Sequence, residues 1–127
     1  MTTSPADELR TAAQTLRERA ASATPGPWRR EDDQRRLERF VSSENGTLDI
    51  NFGYLGNNNQ ADAEYVALMD PGVGAALADW LDTVTQYAEL YANLTLTSTG
   101  APPDEASYDQ GTRHALAVAR QINGGAP

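Results

Sequence analysis

Leu48-Asp49-Ile50-Asn51-Phe52-Gly53-Tyr54 decides the fold, because apolar residues occupy alternate positions along it. A period of two places Leu48, Ile50, Phe52 and Tyr54 on one face of a strand and Asp49, Asn51 and Gly53 on the other. Asn45-Gly46, a pair tolerant of positive φ, precedes this run, and Phe40-Val41 opens an earlier extended one. The reading is an antiparallel hairpin, with a third strand starting at Trp28. Two strands alone are marginal in water, so helices must cover the apolar face.

On either side of this region the period is helical. Ser4, Pro5 and Asp7 supply an N-cap, a first-turn proline and an acid against the helix dipole. Leu9, Ala12, Ala13, Leu16 and Ala20 then recur at helical spacing, and Pro25 and Pro27 end the helix near Ala23. Downstream, Gly56-Asn57-Asn58-Asn59 reads as a loop. A short helix from Gln60 to Met69 follows, with Ala61, Tyr65, Leu68 and Met69 available for burial. Asp70-Pro71 ends it and caps a long helix to about Asn93, whose stripe is Val73, Leu77, Trp80, Leu81, Val84, Ala88 and Tyr91. Thr95 to Pro103 reads as a polar linker, and a last helix from Asp104 to Ile122 turns Tyr108, Ala115, Leu116, Ala119 and Ile122 inward. Asn123-Gly124-Gly125 closes that helix. The expected fold class is α+β: a small antiparallel hairpin or three-stranded sheet packed against about four helices. Residues 1–127 form a single domain, with a mobile linker near 95–103 before the C-terminal helix.

Two short signatures mark the joins: Thr24-Pro25-Gly26-Pro27-Trp28, and Asp62-Ala63-Glu64-Tyr65-Val66-Ala67 followed by Asp70-Pro71-Gly72. In this order, with an alanine-rich helix before and a leucine-bearing helix after, they give the chain its resemblance to the Ead-like family. Those are small proteins of phage early regions and prophages, with related forms in actinobacterial genomes. The resemblance spans about residues 6 to 92. It implies a phage-related setting and supplies no reaction. The arginine-rich segment after Trp28 and the C-terminal helix depart from the family pattern.

Composition narrows the function classes. The chain has 127 residues and no cysteine, which removes disulfides, thiolate nucleophiles and cysteine-ligated metal sites. No apolar run approaches the ~20 residues of a membrane span, so no membrane association and a cytoplasmic location are expected. A net charge of −8 opposes general duplex nucleic-acid binding, whose affinity comes from phosphate neutralisation.

Trp28 to Arg39 holds five of the ten basic residues, all of them arginine: Arg29, Arg30, Arg35, Arg36 and Arg39. Arginines beside a tryptophan suit a phosphate or a small nucleotide, through bidentate hydrogen bonds and stacking. The other reading is a solvated surface, since Glu31, Asp32, Asp33 and Glu38 reduce the local balance to +1. Tyr87, Tyr91 and Tyr108, with Tyr65 expected close by, form a candidate partner-binding face, because tyrosine offers large contact area at low entropic cost.

His114, the single histidine, has no orienting acid or nucleophile at helical spacing. Gly72-Val73-Gly74 follows a helix where a nucleotide loop follows a strand. Asp62, Glu64 and Asp70 lack calcium-loop spacing. No catalytic residue, metal ligand or cofactor is therefore assigned. The expectation is an acidic, non-catalytic accessory protein that binds a host protein; the alternative is a protein that sequesters a nucleotide signal. A symmetric dimer follows if the long helix carries more apolar surface than the core covers.

Overall fold

The computed structural model describes residues 3–46, 48–56 and 58–124. Asn57 of the expected loop and Gly125 of the expected helix end lie outside them. Four α-helices and a three-stranded antiparallel sheet make up an α+β fold, in the order α1 (Pro5–Ser22), β1 (Trp28–Asp33), β2 (Glu38–Ser43), β3 (Asp49–Tyr54), α2 (Gln60–Leu68), α3 (Pro71–Thr99) and α4 (Gln110–Ile122). A single 3-10 turn, Glu105–Ser107, precedes α4. Contacts divide the chain into two compact units. One is Met1–Arg17 with Ala76–Pro127; the other is Glu18–Ala75.

The first unit is helical. The Ser4 hydroxyl accepts from the Asp7 N–H at 3.1 Å, as an N-cap should. Leu9, Leu81 and Leu116, one from each of α1, α3 and α4, are the large side chains fully buried here. Ala12, Ala13, Ala88, Ala115 and Ala119 fill the space between them, and alanine at a helix contact allows close approach. Tyr108 is buried, and Leu16, Val84, Tyr91 and Ile122 close the edge of this core.

Two helix boundaries fall differently from the sequence reading. α3 passes through Leu94 and the threonines to Thr99, where Gly100, at φ 78°, donates to the Leu96 carbonyl and closes it. Ser98 and Thr99 bond their hydroxyls back to the carbonyls of Leu94 and Thr95, so the polar run satisfies itself within the helix. α4 starts at Gln110 instead of Asp104, because the Asp109 carboxylate takes the cap by accepting from the Thr112 N–H.

The second unit is built on the sheet, ordered β1-β2-β3 with β2 central. Arg39, Val41 and Ser43 of β2 face inward, and α2 packs over β1 and β2. Gly46, at φ 76°, makes the β2–β3 turn as expected, and its N–H donates to the Ser43 carbonyl. Opposite Arg39 and Phe40 the register shifts, so Ile50 still pairs with Val41 but Tyr54 pairs with Glu38. That bulge turns Tyr54 to the open face, where it is 65% exposed, against the expectation that it shares a face with Ile50.

α2 also presents a different face from the expected one. Ala63 is buried, whereas Ala61, Tyr65, Leu68 and Met69 are exposed. The rotation is set by polar contacts to the sheet: Glu64 accepts from Arg30 at 2.8 Å, and Asn59, just before the helix, accepts from Arg39 at 2.8 Å.

The two join signatures meet at Asp70. One carboxylate oxygen accepts from the N–H groups of Gly72 and Val73, capping α3, and the other accepts from the Trp28 N–H at 3.3 Å. A Cβ at Gly26 would stand 2.7 Å from that second oxygen, so the close approach requires glycine there.

Candidate functional site

The structure separates the arginines that the sequence groups. Strand alternation sends Arg29 outward and Arg30 and Arg39 inward. Arg39 is 6% exposed; its Nε donates to Asp32 at 3.0 Å and its Nη1 to Asn59 at 2.8 Å. Asn59 in turn donates its amide to the Phe52 carbonyl, so this network fastens the loop before α2 to β3. The Arg39 guanidinium holds the Asp32 carboxyl below the usual carboxylate range.

Arg35 and Arg36 sit in the β1–β2 turn, where both backbone N–H groups donate to the Asp33 carboxylate. Trp28 donates its indole N–H to the Thr24 carbonyl at 2.9 Å. Arg30 and Arg39 are thus engaged in building the unit. A hollow of about 750 Å³ on the open sheet face contains Arg35 and Arg36 beside five carboxylates, among them Glu31, Asp33 and Asp49. The net charge of that lining is negative, which opposes a polyphosphate.

The three tyrosines, by contrast, come together. Tyr87, Tyr91 and Tyr108 line one cleft of about 500 Å³ in the helical unit, completed by Ser107, Asp109 and Thr112. α3 places Tyr87 and Tyr91 one turn apart, and the chain entering α4 lays Tyr108 against them. Tyr91 and Tyr108 meet edge to face with ring centroids 4.9 Å apart. Tyr108 is buried and forms the wall, and burial, with Tyr91 beside it, pushes its hydroxyl above the ordinary value. Tyr87 is 68% exposed and forms the rim.

Asp109 brings the charge. The Thr112 hydroxyl donates to it, as does the Thr112 N–H at 3.1 Å, and these bonds lower its pKa and keep it ionised at neutral pH. The cleft therefore joins aromatic surface to a fixed carboxylate, a combination suited to a cationic side chain. Three of its hydroxyls have structural partners: Thr112 donates to Asp109, Tyr91 to the Ser107 carbonyl at 3.2 Å, and Ser107 to the Asp104 carbonyl at 2.6 Å.

The tyrosines were legible as a group, but Ser107, Asp109 and Thr112 were missed as their companions. The Asp109-x-x-Thr112 spacing was the available signal, since it is a helix-capping pattern. His114 lies exposed on α4. Among the described residues, no three His, Cys, Asp or Glu side chains group as metal ligands, and no helix is long and apolar enough to cross a membrane. No protein-family model matches the chain, and neither does any curated protein or solved structure.

Proposed function

We propose that this chain is a small acidic binding protein, non-catalytic and of phage accessory type, that docks a host protein in the cytoplasm. The observation that carries the docking reading is the convergence of Tyr87, Tyr91 and Tyr108 on one cleft beside the ionised Asp109. Aromatic rings supply contact area with little entropy to lose, and the carboxylate selects a basic side chain of the partner. The net charge of −8 favours encounter with a basic surface. The phage setting rests on the order of the two join signatures. The nucleotide alternative has less support, because Arg30 and Arg39 are turned into the sheet unit and bonded to Glu64, Asp32 and Asn59.

Affinity capture from a host lysate, with wild-type protein and Asp109→Asn side by side, tests the reading. Asparagine preserves the helix cap and removes only the charge. The expected result is one specific protein retained by the wild type and bound at least about 10-fold more weakly by the variant, since a hydrogen bond to a charged group contributes ~1.5–3 kcal/mol. A wild-type eluate with no specific protein, or equal retention by both, sinks it.

A further inference from the structure

α3 leaves a second row of side chains unused by its own core. Trp80, Tyr87, Leu90 and Leu94 are 40%, 68%, 57% and 58% exposed. With the exposed Thr83 and Thr97 they recur at steps of three and four residues, the 3.5-residue seam by which one helix packs against another. All six lie within the helical unit. We propose that this seam pairs with the same seam of a second copy, antiparallel, making the protein a two-fold dimer. The inference goes beyond the docking reading: the seam shares Tyr87 with the cleft but does not depend on Asp109.

Three observations select a second copy as the occupant. The first is charge. The chain as a whole is strongly acidic, so two copies repel across most of their surfaces. Residues 83–99, however, contain one charged side chain, Glu89, and that is paired with Arg10 of α1. Gln86 and Asn93, flanking the seam, are uncharged, and at its Trp80 end Asp79 and Asp82 share Arg17, at 3.0 and 2.6 Å, leaving a single net negative charge there. This strip therefore carries almost none of the like-charge penalty that an identical molecule meets elsewhere.

The second is size matching under a two-fold. Antiparallel knobs-into-holes packing sets each residue of the Trp80–Tyr87–Leu94 series against one of the Thr83–Leu90–Thr97 series. With the axis between Tyr87 and Leu90, Tyr87 meets Leu90 of the second copy, Leu94 meets Thr83, and Trp80 meets Thr97. The central layers are large against large, and the outer ones set a large side chain against a small one. The same six residues serve both copies, as an isologous contact demands.

The third is area. At the stated exposures the four apolar side chains present on the order of 500 Å² per copy, the greater part of the ~800 Å² per partner buried in a standard interface. Thr83, Thr97 and the flanking amides supply the rim.

The absence of native cysteine makes the test clean. Thr83→Cys/Leu94→Cys, mildly oxidised, should give a covalent dimer, because each thiol meets its counterpart in the other copy. Within one chain the two lie eleven residues apart, about 16 Å along the helix, and cannot join. Each single variant should stay uncrosslinked, since like positions in an antiparallel pair are separated by a similar distance. Light scattering should give the wild type twice the 13.7 kDa chain mass and Leu90→Glu the single chain mass at the same concentration. Wild-type protein monomeric at about 100 µM, or single variants that crosslink as readily as the double one, overturns the antiparallel pair. Asp109→Asn should leave the dimer unchanged, so failure of the docking reading is distinguishable from failure of this one.

Discussion

In the helical unit Leu9, Leu81 and Leu116 are excluded from water among alanines, whereas the sheet unit buries Arg39, Ser43 and Asn59 beside Val41 and Ala63. Burial in the first is mainly apolar and non-directional, its buried Thr85 and Thr112 bonding locally to Leu81 and Asp109, so periodicity marks most of the residues that supply it. In the second, a guanidinium, a carboxylate and an amide must each find partners with the right geometry. The difference teaches where each unit is vulnerable. A helical core fails when volume is lost, and a polar network fails when one partner is removed and leaves the others unsatisfied.

The largest effect should come from Leu81→Ala. Leu81 is fully buried on α3 between residues of α1 and α4, and small neighbours such as Ala12 and Ala115 cannot extend to fill the space. The expected cost is about 3 kcal/mol, and the melting temperature should fall by roughly 10 °C. Thermal unfolding followed by circular dichroism measures it; a loss below about 1 kcal/mol would mean that the helices close the cavity.

Asn59→Ala should have an intermediate effect with a different distribution. It removes the acceptor of the Arg39 Nη1 and the donor to the Phe52 carbonyl, at a cost of about 1–2 kcal/mol. If the two units open separately, amide exchange should accelerate in β2, β3 and α2 while the amides of α4 keep their protection. Equal acceleration throughout would make the chain one cooperative unit and erase the contrast.

The same contrast explains what could be read from the sequence. α1, the inward face of α4 and both capping aspects of Ser4 and Asp70 were legible because each depends on neighbours within a few residues. The alternation of β3 was legible from Asp49 to Asn51; Tyr54 was not, since β3 itself carries an extra residue, Phe52, beside Gly53 at φ 97°, and that bulge reverses the faces beyond it. The face of α2 was misread because Glu64 and Asn59 take their partners, Arg30 and Arg39, from the sheet. Local composition likewise made the threonine-rich end of α3 look like a linker, although nothing before Gly100 stops the helix. For the candidate site the pattern is similar. The tyrosines stood out by residue type, whereas the arginine cluster was scattered by strand alternation, which sends neighbours to opposite faces.

The smallest effect concerns a polar contact that belongs to the helical unit and tests whether its surface charges matter beside its core. Arg120 donates to Glu8 at 3.1 Å and also to Glu105, linking α1, the turn before α4 and α4 itself. The hydrogen bonds from Arg120 hold the Glu105 carboxyl below its ordinary value of 4.5. A carboxylate whose folded pKa is depressed stabilises the fold above its unfolded pKa and loses that contribution as pH falls through the folded value. The stabilisation from Glu105 should thus be complete above about pH 5 and decline from pH 4.5 downward. Arg120→Met removes it, so the melting temperature of the variant should fall less steeply than that of the wild type between pH 5 and pH 3. Both carboxylates are partly exposed and screened, so the shift should be far smaller than that of Leu81→Ala. Superimposable pH profiles would show that the bridge orients the turn without stabilising it, and that the helical unit depends on its apolar core alone.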